Sequence, residues 1–402
     1  MLIQKWNVQK KGDIDMASYQ LEVKQQNKKL ILKTVYQLEP ISRADLAKVL
    51  SLTKATVSNL VDELVQEHYL EQVGLGKSSG GRRPLMLKIN EKAGYTISVD
   101  IGVNYIRSIL TDLKGGIMKK AVETTDTNVY EDTMRYIETM VNNLINDMDD
   151  APFGLVGIGF GVPGLVDSDG TVISTPNLDW QESDIRKRFE AAFDVHVIVE
   201  NEANAGAFGE KSFGEGISSD HFIYISGGIG IGVGLIFDGV LYRGRNGFTG
   251  ELGHTIIQMD GLTCSCGKKG CWERYASELY ILKEYEKLKG MPWHQLTLEE
   301  AVTEAAADED VRAIFHRAAR HFAIGLTNII NSFNPEKIIV GNRLTQAEQY
   351  MLPVIEEVIA ETAISPIAKG VGIHFNNTDQ LATVLGLSAF SIERFFDREF
   401  ST

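Results

Sequence analysis

The residues whose types and spacing could do chemistry are concentrated in Glu251–Glu273, which reads ELGHTIIQMDGLTCSCGKKGCWE. All three cysteines of the chain lie there, and a histidine lies ten positions before the first cysteine. Three thiols and one imidazole make the four ligands that a structural zinc ion takes. Gly267 and Gly270 allow tight turns that would point these side chains at one centre. We therefore predict a structural zinc site at His254, Cys264, Cys266 and Cys271.

Two other interpretations of the cysteines stay open at this point. They could be ordinary buried thiols beside a core histidine, although random placement in 402 residues would seldom bring three cysteines so close together. Disulfide pairing is disfavoured because an odd number of cysteines leaves one thiol over and no secretory segment is visible.

Two carboxylates flank the cysteine cluster. Glu251 lies three residues before His254, and Glu273 lies two residues after Cys271. A metal ion that fixes this loop would also fix the two acids relative to each other. Since carboxylates accept hydrogen bonds from hydroxyl groups, the arrangement predicts a binding site for a sugar.

Composition limits the class of protein. The chain has 402 residues, 44% of them apolar, which allows two or three globular domains. No apolar run reaches the roughly 18 to 20 residues that cross a membrane. The N-terminal sequence MLIQKWNVQKKGD lacks the apolar core of a signal peptide. We therefore predict a cytoplasmic protein with no membrane partner.

The net charge of −14 is divided unevenly along the chain. Residues 1–90 contain 14 Lys+Arg and 9 Asp+Glu, whereas residues 91–402 contain 26 and 45. A basic head on an acidic body is typical of a protein that binds nucleic acid at one end only. A chance fluctuation of charge explains the difference equally well.

The head, residues 20–90, has the pattern of a helical DNA-binding domain. Apolar residues recur at helical spacing over Leu21–Leu38 and predict a first helix. Ser42, followed three positions later by Asp45, predicts the start of a second helix, and Thr53 predicts the start of a third. Two short helices joined by a tight turn fit helix-turn-helix geometry.

Two predicted strands, Tyr69–Val73 and Leu85–Ile89, follow these helices and enclose GLGKSSGGRRP. Cations and glycines at the tip of a hairpin are typical of a wing, which reaches phosphates or the minor groove. A plain helical hairpin remains the simpler alternative for the helices alone. Residues 1–19 are an N-terminal extension in which Met16 can be the natural start. The candidate DNA contacts are Arg43, Thr53, Lys54, Thr56, Ser58, Asn59, Lys77, Arg82 and Arg83.

The body, residues 94–402, alternates predicted strands and helices. A strand that ends in Asp100-Ile101-Gly102 and a second strand close behind it are typical of the start of an actin-like ATPase fold. The alternation predicts an α/β architecture with two related halves. Gly227–Gly234 is either a loop that cradles phosphates or a series of close packing positions, and the sequence does not decide between them.

Five stretches resemble the ROK family of repressors and sugar kinases: SGGRRP, GFGVPGLVD, ENEANAGAFGE, GFTGELGH and CSCGKKGCWE. The resemblance covers nearly the whole chain from about residue 25 onward. The winged head is similar to the repressors of the family, and DIGVNYI and LYRG most resemble the members that respond to xylose. The resemblance implies a two-lobed body of the sugar-kinase fold, operator DNA and xylose as partners, and a homodimer or homotetramer.

The resemblance also implies the same four zinc ligands and a set of sugar contacts. The histidine would serve both the metal and the sugar, through its two different ring nitrogens. The implied sugar contacts are Asn201, Glu202, Glu251, His254 and Glu273.

The chain departs from the family's kinases at three sites. Val103 and Asn104 stand where the kinases have a glycine and a threonine in the first phosphate loop, and Asn342 stands where they have a second glycine. Glu202 replaces the catalytic aspartate and is one methylene longer. We therefore predict a xylose-responsive repressor that is not an enzyme. The alternatives are an ATP-dependent sugar kinase with a DNA-binding head, and a repressor that binds a protein partner instead of a sugar.

Glu202 also suggests why the effector would be a pentose. A pentose lacks the hydroxymethyl group on which a hexokinase acts, so the longer acid could occupy the vacated space and hydrogen-bond the ring hydroxyls. The simpler alternative is that Glu202 caps the helix predicted to begin at Ala203, where acids are favoured.

Overall fold

The protein divides into two compact units. A computed structural model describes residues 16–75, 83–125, 129–178, 180, 183–376 and 380–399. The first unit comprises the chain up to Gly94, together with Ala151–Gly154 and the end of the chain from Glu393. The second unit comprises the rest, Tyr95–Asp150 and Leu155–Ile392. No helix in the described ranges is long and apolar enough to cross a membrane.

The first unit is a winged helix-turn-helix domain, as predicted. Its helices are α1 (Met16–Leu38), α2 (Arg43–Val49) and α3 (Lys54–Gln66). Its strands are β1 (Ile41–Ser42), β2 (Leu70–Leu75) and β3 (Leu85–Ile89). The strands form an antiparallel sheet in the order β1-β3-β2, and β2 and β3 are the two strands of the wing.

Side-chain caps begin α2 and α3 where the sequence predicts. The Ser42 hydroxyl accepts a hydrogen bond from the backbone N–H of Asp45 at 3.2 Å. The Thr53 hydroxyl accepts one from the N–H of Thr56 at 3.1 Å. Each cap satisfies a backbone donor that would otherwise lack a partner at a helix N-terminus.

The core of the first unit contains side chains that are distant in sequence from the head. Tyr69 stacks on Phe153 with ring centroids 4.8 Å apart, and Phe395 lies 5.2 Å from Phe153. Lys29 forms an ion pair with Asp397 at 2.7 Å. Residues 151–154 and 393–399, which the sequence analysis places in the body, therefore contribute to the packing of this unit.

The second unit contains two five-stranded sheets built in the same way. The strands of the first half are β4 (Gly94–Ile101), β5 (Tyr105–Asp112), β6 (Ile117–Thr124), β7 (Gly154–Val162), β8 (Leu165–Val166), β9 (Val172–Ser174) and β10 (Val197–Asn201). Those of the second half are β11 (Phe222–Gly227), β12 (Ile231–Phe237), β13 (Val240–Leu241), β14 (Lys337–Gly341) and β15 (Gly372–Phe375). The sheet orders are β10-β7-β4-β5-β6 and β13-β12-β11-β14-β15, and β8 pairs with β9.

In each sheet, three strands that are consecutive in the sequence lie side by side, β4-β5-β6 in one and β11-β12-β13 in the other. Two strands from later in the same half continue the sheet on the other side of β4 or β11. This repetition confirms the prediction of two related halves. The helices of the unit are α4 (Tyr130–Asn146), α5 (Ile185–Phe193), α6 (Glu202–Phe213), α7 (Glu273–Ala276), α8 (Glu278–Lys289), α9 (Leu298–Glu304), α10 (Glu309–Phe333), α11 (Glu348–Thr362), α12 (Ser365–Ala368) and α13 (Ala382–Glu399).

The glycine-rich segment Gly227–Gly234 is not one continuous loop. Its second part belongs to strand β12, and only the residues between β11 and β12 form a turn. A Cβ on Gly232 would lie 2.8 Å from the Cβ of Ala203, and a Cβ on Gly234 would lie 2.4 Å from the carbonyl oxygen of Ala203. These two glycines are needed because α6 packs directly on β12, which favours the packing interpretation over a phosphate cradle.

Candidate functional site

The four predicted metal ligands lie together in the second unit. Their ligand atoms all lie within 4.8 Å of one another. The Sγ atoms of Cys266 and Cys271 are 3.7 Å apart, and the Sγ of Cys264 is 3.5 Å from the Nδ1 of His254. Two thiolates bound tetrahedrally at the usual Zn–S length would be ~3.8 Å apart. The donor set and its spacing therefore fit a zinc ion, and the three thiols are not joined by a disulfide.

The backbone of the loop follows from its glycines. Gly267 and Gly270 both have φ of +81°, in the left-handed region that glycine adopts readily. A Cβ on Gly270 would lie 1.8 Å from the carbonyl oxygen of Gln258, so a side chain does not fit there. Both glycines lie between Cys266 and Cys271, so their turns allow the Sγ atoms of these two cysteines to come together.

A cavity of about 490 Å³ lies beside the metal-ligand cluster. It is lined by residues of both halves of the second unit, including the turn between β4 and β5 and the turn between β11 and β12. The residues that the sequence analysis assigns to a sugar all line it: Asn201, Glu202, Glu251, His254 and Glu273.

Asn201, rather than Glu202, caps helix α6. The side-chain oxygen of Asn201 accepts hydrogen bonds from the N–H groups of Ala203 at 2.9 Å and Asn204 at 3.1 Å, and its amide donates to the carbonyl of Gly164 at 3.0 Å. The capping role proposed for Glu202 as the simpler alternative is thus filled by its neighbour. Asn201 is held firmly at the cavity wall.

Glu202 is a buried acid without a partner for one oxygen. Its Oε2 atom is inaccessible to solvent and, within the described residues, has no hydrogen-bond partner. Burial, together with the charges of Asp100 and Glu251, raises the pKa of Glu202 to about 8. An unpaired buried carboxyl group costs free energy of folding and is typical of a ligand-binding position.

His254 links the metal-ligand cluster to the carboxylates of the cavity. Its Nδ1 lies 3.5 Å from the Sγ of Cys264, while its Nε2 lies 3.6 Å from the Oε2 of Glu251. The Cys264 thiol donates to the Oε1 of Glu273 at 3.0 Å. One ring nitrogen is therefore available to a metal and the other to the cavity.

Asp100, Tyr105 and Asn177 are among the cavity residues that the sequence did not assign to a sugar site. Asp100 is almost fully buried, and burial raises the pKa of its carboxyl group against the lowering effect of Arg107. Tyr105 donates its hydroxyl hydrogen to Asp100 at 3.0 Å. A Cβ on Gly230 would lie 2.9 Å from Glu273 and 3.5 Å from the amide nitrogen of Asn177, so both side chains face this turn. Nothing local in the sequence marks Asn177 as a cavity residue.

Some candidate DNA contacts of the first unit form hydrogen bonds with other side chains of the protein, whereas others are exposed to solvent. Arg43 donates to Asp62 at 2.6 Å and to the hydroxyl of Ser58 at 3.0 Å, and this guanidinium lowers the pKa of Asp62. The Thr53 and Thr56 hydroxyls share a hydrogen bond at 2.9 Å. Lys77 and Arg82 lie outside the described residues. The candidates whose side chains are exposed include Lys54, Asn59 and Arg83.

The chain matches two family models. The model of the ROK family matches residues 96–394, and the model of the MarR family matches residues 26–72. The first match covers most of the second unit, and the second match runs from within α1 through α2 and α3.

Relatives and solved structures agree with these matches. The chain is 39% identical over 386 residues to the xylose repressor of Bacillus subtilis (strain 168), covering 96% of this chain and 99% of that protein. It is 38% identical over 385 residues to the xylose repressor of Caldicellulosiruptor bescii, covering 92% and 96%. A ROK family transcriptional regulator, a homolog of the E. coli MLC protein, superposes with a TM-score of 0.77 at 25% identity over 94% of this chain and 99% of that one. A ROK family glucokinase from Streptomyces griseus, in complex with glucose and AMPPNP, gives 0.67 at 28% identity over 74% and 99%.

Proposed function

Because this chain belongs to the ROK family, we propose that it is a transcriptional repressor that releases operator DNA when it binds xylose. The observation that carries the proposal is that one chain contains both a winged helix-turn-helix unit and a cavity lined by carboxyl groups, one of which, Glu202, has an oxygen without a partner among the described residues. The chain aligns with nearly the whole length of the relatives that are named xylose repressors. This supports both the class of protein and the effector. Operator DNA lies in the cytoplasm of a bacterial cell, so the proposed repressor acts there.

The proposed sugar contacts offer both acceptors and a donor to the hydroxyl groups of a polyol. Glu202, Glu251 and Glu273 present carboxyl oxygens to the cavity, and His254, with its Nδ1 facing the metal, would present its Nε2–H as a donor. A sugar hydroxyl that bonds the Glu202 carboxyl group would supply a partner of the kind that the described residues do not give its Oε2 atom. The sugar must bind more tightly to a state of the chain with low operator affinity, since only a differential affinity shifts the equilibrium.

We further propose that a zinc ion is bound by the four clustered ligands, His254, Cys264, Cys266 and Cys271. Its role is structural, because four protein ligands leave no open coordination position. It would fix the loop that carries Glu251 and Glu273. Nδ1 of the histidine would face the metal and Nε2 the sugar.

A sugar kinase with a DNA-binding head is the less favoured candidate. Asp100 is paired with Arg107 at 3.2 Å and with the Tyr105 hydroxyl at 3.0 Å, so this acid is already engaged inside the protein.

The operator would be roughly palindromic and bound by a dimer or larger assembly, as is usual for helix-turn-helix repressors.

The proposal is tested with purified protein and an operator that the protein itself selects from random duplexes. Fluorescence anisotropy at fixed salt follows operator release by pentoses and hexoses, with and without ATP, while the mixture is assayed for sugar phosphate. Release by xylose without any phosphorylation is expected. Phosphorylated sugar would contradict the repressor assignment in favour of a kinase, and operator binding that no sugar alters would point to a protein partner.

Lys54→Ala is expected to weaken operator binding at the start of α3. If the exposed Lys54 ammonium contacts a phosphate, its loss makes the negative slope of log K, the operator association constant, against log salt concentration shallower by about 1. Anisotropy titrations at several salt concentrations measure this slope. Lys187→Ala, at an exposed lysine of the second unit, is the matched control and leaves the slope unchanged. Equal slopes for the Lys54 variant and the wild type would remove Lys54 from the DNA interface.

Glu202→Asp is expected to weaken the binding of xylose and to allow glucose to bind better. Shortening the side chain by one methylene withdraws the carboxyl group from the ring hydroxyls and leaves space for a hydroxymethyl group. One methylene group in a pocket usually changes the difference in binding free energy between two ligands by about 1–3 kcal/mol. Isothermal titration of the wild type and variant with both sugars measures it. An unchanged ratio of the two affinities would exclude Glu202 as the residue that selects a pentose.

A further inference from the structure

The turn that joins β4 to β5 is covered by one of its own side chains. The N–H of Gly102 donates to the carbonyl of Tyr105 at 2.8 Å, which closes the turn. A Cβ on Gly102 would lie 2.3 Å from Cε1 of the Tyr105 ring and 2.6 Å from Cζ. The ring thus lies directly against the face of Gly102 that the missing side chain leaves open. The glycine at this position is explained by the tyrosine, without any bound phosphate.

The hydroxyl group of Tyr105 is engaged as closely as its ring. It donates to Oδ2 of Asp100 at 3.0 Å, and Arg107 donates to the same oxygen at 3.2 Å. The Arg107 guanidinium lies 4.8 Å from the Tyr105 ring centroid and donates to the carbonyl and side-chain oxygens of Gln380, both at 2.8 Å. Burial raises the pKa of Tyr105 well above its usual range, so the hydroxyl keeps its proton and remains a donor.

The pairing of two arginines, Arg107 and Arg343, also disfavours a polyphosphate. Arg343, which lines the cavity, is paired with Glu278 at 2.8 Å and with Glu299 at 3.1 Å. Arg107 is paired with Asp100. Phosphate sites need open backbone N–H groups and cations that can face the anion. Here the first glycine turn is covered and these two guanidinium groups face carboxylates of the protein.

A nucleotide is the ligand that the fold implies, since a similar glucokinase of the family is in complex with glucose and AMPPNP. The described residues at the β4–β5 turn do not fit one. We propose that the Tyr105 side chain fills this part of the cavity, which excludes nucleotides and leaves the remaining space to the sugar. This inference goes beyond the proposed function, because it holds for whichever sugar the protein binds.

The test compares nucleotide binding by the full chain and two variants at one position. Isothermal titration with MgAMPPNP, in the absence of sugar, is carried out on the wild type, Tyr105→Phe and Tyr105→Ala. The wild type and Tyr105→Phe, which keeps the ring, are expected to show no binding at millimolar nucleotide. Tyr105→Ala is expected to bind at least ~10-fold more tightly than the wild type, about 1.4 kcal/mol.

Three results would overturn the proposal. They are nucleotide binding by the wild type, nucleotide binding by Tyr105→Phe equal to that of Tyr105→Ala, and no gain in Tyr105→Ala. Operator binding without sugar and metal content establish that each variant is folded, and Tyr105→Val replaces the alanine variant if the latter is not. Because operator release by xylose is a separate assay, its failure would leave this result unaffected.

Discussion

Cys271→Ser is expected to abolish the response to xylose while the protein loses its metal. Cys271 is fully buried, and its Sγ lies 3.7 Å from that of Cys266. Without one thiolate the remaining three ligands bind zinc far more weakly, and the binding energy of a structural zinc ion is part of the folding free energy. The loop that carries Glu251 and Glu273 would then lose its fixed geometry, and the sugar site would be lost with it.

The effect on stability should be large as well. Loss of a structural metal is one of the few single changes that cost about 3 kcal/mol or more. Elemental analysis gives the metal content, chemical denaturation gives the free energy of unfolding, and anisotropy gives operator release. Ser265→Ala, in the same loop, is the matched control and should keep zinc and response. A Cys271→Ser protein that still releases operator DNA at wild-type xylose concentration would contradict a structural role for the metal.

Glu202→Gln is expected to stabilise the protein against unfolding at alkaline pH. In the folded chain burial raises the pKa of Glu202 to about 8, whereas in the unfolded chain it returns to near 4.5. Between these values the folded state binds more protons than the unfolded state, so the contribution of Glu202 to stability falls as pH rises through this window and is lowest above pH 8. Glutamine keeps the shape of the side chain and cannot ionise.

Chemical denaturation of the wild type and of Glu202→Gln at about pH 5 and pH 9 measures this difference. The gain should be small at the lower pH and on the order of a few kcal/mol at the higher one. Glu309→Gln, at an exposed position of α10, is the control and should give no such trend. An equal gain at both pH values would mean that the pKa of Glu202 is not raised by folding. The cost that wild-type Glu202 imposes is of the kind that proteins retain at binding sites.

Features encoded locally were predictable from the sequence. The caps at Ser42 and Thr53 lie within three residues of the groups they bind, and three cysteines within eight positions leave few ways to arrange them. The alternation of strands and helices in the body predicted an α/β unit with two related halves, and the two sheets share one strand order. Such signals depend on neighbours in the chain and need no knowledge of tertiary packing.

Features that depend on distant partners were not predictable. Arg43 has the residue type of a DNA contact, but it is bound to Asp62, nineteen positions away, on the next helix. Gly232 and Gly234 have the pattern of a phosphate loop, but they serve the packing of α6 on β12. In both cases the deciding contact joins residues that are far apart in the sequence.

The central claim is that xylose binding and operator binding weaken each other. It is tested most directly by measuring the affinity for xylose in the absence and in the presence of operator DNA. Isothermal titration gives the dissociation constant for xylose of the free protein and of the protein saturated with operator DNA. Linkage requires that xylose bind more weakly to the DNA-bound form, by the same factor by which xylose weakens operator binding. Matching factors well above one are the predicted result. Equal xylose affinities with and without operator would contradict a xylose-gated repressor.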